Sequence, residues 1–310
     1  MRDVLLEYVM RIDALTPLPA ASTAYLRKVL CVVKPSSGVA TGTITECLTK
    51  ESVQALTQSN CWKLLDAGMN SIYVLPADDL NLADILHETK FKFFTVLIDG
   101  AFDAEALDDL DQGTFEGVIG WTNNDREECK AFAQAKNNVA IYDTPENGSQ
   151  NMYWAFGKLL GSVNWKNQQY IEMPLSSGID TINEANLLFE DKISFVLTSE
   201  EYGNRLALFA SNRKAIVAPY IFEEIQINLQ SKALQYINLN QPAYTEKQAS
   251  LLEDTLQGML DEKYVNREII ESASVKVTLE NENFVATSQI KVAEPKALWR
   301  INATLQQGDI

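Results

Sequence analysis

Apolar residues gather along the middle of the chain in short, evenly spaced runs. They are Ser71–Leu75, Phe93–Ile98, Gly117–Trp121 and Val139–Tyr142. Their centres, near residues 73, 96, 119 and 141, are 23, 23 and 22 residues apart. Each run is short and rich in β-branched or aromatic residues, as strands buried on both faces are. Segments of helical period lie between them. Asp79–His87 places Leu80, Ala83 and Leu86 on one face, and Asp103–Leu110 does the same with Ala106 and Leu110. Asn124–Lys136 opens with the acidic first turn that suits a helix N-terminus. A strand and a returning helix fit this spacing, so the pattern predicts βα units and a mostly parallel sheet with flanking helices.

The pattern changes further along. Ser149–Ser162 and Ile182–Phe189 read as helices, and Ile193–Leu197 and Arg205–Phe209 as strands. Two long amphipathic helices follow. The first runs from Pro219 to Ile237, with Ile221, Ile225 and Leu229 in register. The second runs from Thr245 to Tyr264, with Leu252, Leu256, Met259 and Leu260 as its stripe and a capping box at Thr245 and Gln248. The closing segment alternates. Val275, Val277 and Leu279 lead through a turn at Asn281–Asn283 to Phe284, Ala286, Ser288 and Ile290. A last strand after Pro295 carries Trp299, Ile301, Ala303 and Leu305 on one side. The predicted class is therefore α/β, a mostly parallel sheet with helices, plus a C-terminal α+β region with two long helices and a β-hairpin. The boundaries are an N-terminal arm at 1–20, an α/β domain at 21–200, the α+β region at 201–296 and a C-terminal arm at 297–310.

Composition narrows the function. Of the 310 residues, 46% are apolar and 22% charged, a globular balance. The 42 acidic against 26 basic residues give a formal charge of -16. Such a surface repels phosphate backbones and anionic lipid, so neither nucleic acid nor membrane is expected as a direct partner. Cys31, Cys47, Cys61 and Cys129 form no CxxC pair and read as reduced, mostly buried thiols. The Met1-Arg2-Asp3 start does not read as a secretion signal, and no apolar run reaches the ~18 residues of a membrane span.

Catalytic patterns are missing from the sequence. No G-x-G-x-x-G follows a predicted strand, and Gly157-Lys158 is followed by Leu159, which cannot ligate magnesium. No G-x-S-x-G elbow occurs, and the single histidine, His87, has no identifiable partner for nucleophilic catalysis. The acidic run from Asp99 through Asp111 reads as a solvated or interfacial face. Asp109-Leu110-Asp111 does not open a calcium loop, because Thr114 and Gly120 stand where its Gly and Glu would be needed. Tyr153, Trp154, Phe156 and Trp165 read as packing residues. No cofactor, metal or catalytic residue is expected.

The C-terminal third resembles the contractile tail sheath family of bacteriophages and related injection machines. The resemblance lies in an order: the strand Leu206–Phe209, the segment Ala218-Pro219-Tyr220-Ile221 leading into a long helix, a second helix, a hairpin, and the proline-led stretch Ala293–Ile301. Phe115–Gly120 is similar to a strand of the family's α/β domain. The resemblance implies a non-enzymatic virion protein, assembled in the host cytoplasm. Its copies would stack as hexameric rings around a tail tube protein, between baseplate and terminator proteins. It also implies β-augmentation, in which the chain ends add strands to neighbouring sheets. Val4, Leu6 and Tyr8 would be the teeth of the N-terminal donor, and Trp299, Ile301, Ala303 and Leu305 those of the C-terminal one. Two other readings stand beside it. One is another tail, baseplate or neck protein. The other is an enzyme or small-ligand receptor with its site beyond the strand ends, near Asp99, Trp121 and Asp143.

Overall fold

The computed structural model describes residues 5–12, 23–78, 92–102, 107, 117–134, 137–162, 171–179, 181–200, 203–210, 216–280 and 283–292. Its strands and helices, in chain order, begin with β1 (Leu5–Ile12), β2 (Val29–Val33), β3 (Thr45–Cys47), α1 (Lys50–Gln54), α2 (Lys63–Asp66) and β4 (Ile72–Pro76). Next come β5 (Thr95–Ile98), β6 (Val118–Asn123), α3 (Arg126–Gln134), β7 (Asn138–Tyr142), α4 (Gln150–Gly161) and α5 (Ile182–Glu190). The remainder are β8 (Phe195–Ser199), β9 (Gly203–Leu208), α6 (Val217–Asn240), α7 (Glu246–Leu260), β10 (Ser272–Glu280) and β11 (Asn283–Lys291). The chain divides into two units. One runs from Ala24 to Pro219, and the other joins β1 to the residues from Tyr220 to the end of β11.

The first unit is built on a six-stranded sheet of order β3-β4-β2-β5-β6-β7. All neighbouring pairs are parallel except β3 with β4. The four evenly spaced apolar runs are β4 to β7, as expected. The centre of the sheet, β2, is a fifth run that lies outside that spacing. Alternation divides the side chains between two faces. Leu30, Val32, Val96, Ile98, Ile119 and Trp121 join one core with Phe102, Phe132 and Leu188. The opposite face meets α4 so closely that a Cβ on Gly120 would lie 2.6 Å from Leu97 and 2.8 Å from Phe156. Another close approach lets α4 lie on α2, where a Cβ on Gly157 would fall 2.6 Å from Ala67 and 2.9 Å from the Leu64 carbonyl. Both faces are dry, which is why these strands are apolar throughout. The start of β8 extends the sheet briefly beside β7 through Ser194, then pairs with β9 as a separate antiparallel hairpin.

The second unit is a three-stranded antiparallel sheet of order β1-β11-β10 with α6 and α7. Thr245 caps α7 by accepting from the Gln248 backbone N–H, and the expected stripe of Leu252, Leu256, Met259 and Leu260 is buried. On α6, Ile221, Ile225 and Leu229 are buried as well. A single π turn at Asp261–Val265 ends α7 and carries Tyr264 inward. Its hydroxyl donates to Glu224 at 3.2 Å and accepts from Asn228 at 2.6 Å. Burial, then the Glu224 charge, holds that phenol well above its ordinary range.

The helix expected at Asp79–His87, including His87, lies outside the described residues, as does nearly all of the one expected at Asp103–Leu110. The final strand after Pro295 also lies outside them.

Candidate functional site

Two places can carry function: the sheet formed by the chain's two ends, and the carboxyl edge of the parallel sheet.

In the hairpin, β10 and β11 pair from Ser272↔Lys291 to Glu280↔Asn283. Val275 and Val277 point inward, while Lys276 and Thr278 face solvent. On β11, Phe284, Ala286, Ser288 and Ile290 are buried as predicted, and Val285 is buried too. Phe284 packs 5.2 Å from the ring of Tyr244. The third strand comes from the far end of the sequence. In this single chain β1 pairs antiparallel with β11 along its whole length, Leu5 opposite Lys291 and Ile12 opposite Phe284. Leu6 and Tyr8, two of the predicted exchange residues, therefore stand opposite Ile290 and Ser288. Val4, Trp299, Ile301, Ala303 and Leu305 lie outside the described residues.

The other edge of the sheet, β10, is engaged by α7. Gln257 Oε1 accepts the Val275 N–H at 3.0 Å, and its Nε2 donates to the Ala273 carbonyl at 3.1 Å. Glu253 Oε2 accepts the Val277 N–H at 2.8 Å. Sequence reasoning missed both side chains. Their spacing of four residues places them on one face of a helix, but polar pairs at that spacing are ordinarily a solvated face.

At the strand ends of the parallel sheet, Asp99 follows β5 and Asp143 follows β7, both buried. Asp99 accepts from the hydroxyls of Ser59 and Tyr153 and from the Ala101 N–H. Burial, reinforced by the Asp99 charge, pushes the Tyr153 phenol far above its usual range. Asp143 Oδ1 accepts from the Thr144 N–H at 3.0 Å and from the side-chain amides of Asn147 and Asn151. Trp121 lies wholly inside the core, its indole N–H donated to the Phe102 carbonyl at 3.1 Å. Asp99 and Asp143 do lie at the carboxyl ends of their strands. Both Asp99 oxygens and Asp143 Oδ1 are taken by internal bonds, whereas Asp143 Oδ2 is buried with no hydrogen-bond partner among the described residues. Among the described residues no three His, Cys, Asp or Glu side chains converge as metal ligands. All four cysteines are buried free thiols. No helix of the described residues is long and apolar enough to cross a membrane.

Burial raises the Asp143 carboxyl from 3.8 to about 6, against the pull of its Asn147 and Asn151 bonds. Because the unfolded chain ionises first, this group favours the fold fully below about pH 4, and that contribution is lost as pH rises through about 6. The loss amounts to roughly 3 kcal/mol at 1.36 kcal/mol per pH unit. Asp143→Asn keeps an acceptor oxygen and removes the charge. Thermal unfolding from pH 4 to pH 7 should show the wild type losing stability relative to the variant. Parallel curves would contradict this reading.

No family model matches the chain, and no curated protein matches it in sequence. The fold is similar to the helical sheath of the anti-feeding prophage, solved by cryo-EM in its contracted state. The TM-score is 0.62 at 12% sequence identity, and the match covers 92% of this chain and 94% of that one. This chain has the fold of a contractile sheath subunit. The similarity expected from the order of elements in the C-terminal third is borne out as a likeness of fold. The match covers 92% of the chain and so takes in the parallel sheet, to which the resemblance at Phe115–Gly120 also pointed. The sheath fold here is about the length of its solved counterpart, as the two coverages show.

Proposed function

We propose that this chain is the structural subunit of a contractile sheath. Copies polymerise around an inner tube by sharing strands, and the polymer contracts to drive the tube into a target cell. The observation that carries this reading is the sheath fold, matched over 92% of the chain. In the single chain β1 completes its own sheet along an eight-residue register, more than 250 residues from its partner in sequence. The same strand from a neighbour would form the same backbone bonds, as in a domain swap, at little cost. Hexameric rings, a tube protein, and baseplate and terminator partners belong to the proposal, as do exchange of Val4, Leu6 and Tyr8 and of Trp299, Ile301, Ala303 and Leu305. So does a place in the tail of a virion or a related injection device.

A structural rather than catalytic role is supported by the strand-end carboxylates, which are held by neighbouring hydroxyl and amide groups. Contraction would be a rearrangement of rigid subunits between two lattices, with no nucleotide consumed. Negative-stain microscopy of the purified full chain tests the proposal. Helical tubes or stacked rings are expected, and a strict monomer at high concentration would overturn it.

A further inference from the structure

The three-stranded sheet has two edges, and they are not alike. In an antiparallel pair, successive residues turn their backbone groups alternately toward and away from the partner. Ala273, Val275 and Val277 turn away from β11, and α7 takes three of their groups: the Ala273 C=O and the Val275 and Val277 N–H. The Gln257 amide accepts and donates on either side of Ser274, as a peptide unit of an adjoining strand would. Glu253 takes the next N–H along, and its carboxylate also lies 3.5 Å from the Lys276 ammonium. The Gln257 amide is itself steadied by Asp261 Oδ1 at 2.9 Å.

The same parity determines the other edge. Val275 stands opposite Ser288, and Ser288 stands opposite Tyr8. Tyr8 therefore turns its backbone toward β11, and Leu5, Glu7, Val9 and Arg11 turn theirs away. Among the described strands none lies beyond β1.

We propose that Glu253 and Gln257 are edge guards, which seal β10 so that a strand from a second copy can add only beside β1. Strand sharing is then one-sided, and lateral pairing of two β10 edges is suppressed. Covering an edge is a general defence against such pairing, and here it also gives the assembly a direction. The inference rests on the proposed strand exchange for the identity of the arriving strand, residues 297–310 of a second copy. The closure of β10 rests on α7 alone.

The test uses the full chain with a reporter cysteine, Lys276→Cys, on the exposed side of β10. With the guards in place, oxidation should give no disulfide dimer, whether the protein is dispersed or polymerised. Adding Glu253→Ala and Gln257→Ala should raise the dimer yield at least about tenfold, the effect of one or two backbone hydrogen bonds gained. Glu253→Ala alone frees only the Val277 N–H and should give an intermediate yield, which keeps the test readable if the double variant does not fold. Glu253→Gln retains an acceptor oxygen and should match the guarded protein. Dimers in the guarded protein, or none in either opened variant, overturn the proposal. Microscopy of the same samples separates the two readings. Guards that behave as expected in a protein that forms no tubes would sink the sheath reading alone. Tubes in which the guarded reporter cross-links would sink the guards alone.

Discussion

Removing residues 297–310 should abolish polymerisation and leave the parallel-sheet unit folded. The segment alternates Trp299, Ile301, Ala303 and Leu305 with Arg300, Asn302 and Thr304, the pattern of a strand with one buried face. Burying a Trp, an Ile or a Leu contributes roughly 1.5–3 kcal/mol apiece. Losing all three at every subunit contact costs on the order of 5–9 kcal/mol, which raises the concentration needed for assembly by roughly 10³–10⁶-fold. The described core around Trp121 draws on residues between Leu30 and Phe195. Sedimentation of the truncated chain should therefore show no polymer, while its thermal unfolding stays within a few degrees of the intact chain. Polymers of normal length would remove the C-terminal donor from the proposed mechanism.

Trp121→Ala should have the largest effect on stability of any single substitution in the parallel sheet. The side chain is fully buried in the middle of β6, with its ring 5.4 Å from that of Phe132. Its removal leaves a large cavity in a core that packed strands and helices prevent from collapsing, at a cost of about 3–5 kcal/mol. The Phe102 carbonyl also loses its donor, since the indole N–H is bonded to it at 3.1 Å. In a chain of this size that corresponds to a fall of roughly 10 °C in Tm. Trp121→Phe keeps the packing and drops only the hydrogen bond and part of the volume, so its loss should be about half as large. Differential scanning calorimetry distinguishes the two. Equal melting temperatures for Trp121→Ala and the wild type would contradict the core described here.

The strands β4 to β7 were legible because both faces of the sheet are covered, so each strand had to be apolar throughout, and α3 sets the step from β6 to β7. Val29–Val33 carries the same signal in five consecutive buried residues. It went unread because β3, α1 and α2 intervene before β4 and break the spacing. The cap at Thr245 and the stripe of α7 were legible because both are local. The closure of β10 was not. Glu253 and Gln257 acquire their role only when the hairpin, some 20 residues on, folds against the helix. The strand-end carboxylates were located correctly by position alone. Their commitment to Ser59, Tyr153, Asn147 and Asn151 comes from segments the spacing could not bring together.

Strand exchange between copies is tested most directly across the pairing of β1 with β11. Val9 and Thr287 stand opposite each other. By the parity of the ladder they form a non-hydrogen-bonded pair, whose Cα atoms lie about 4.5 Å apart, close enough for a disulfide. Two populations of the full chain, one carrying Val9→Cys and the other Thr287→Cys, are co-assembled and oxidised. If β1 is lent to a neighbour, the mixture yields covalent dimers joining one chain of each kind. If the mixture stays monomeric while a single chain carrying both cysteines closes on itself, β1 belongs to its own molecule and the N-terminal exchange is wrong.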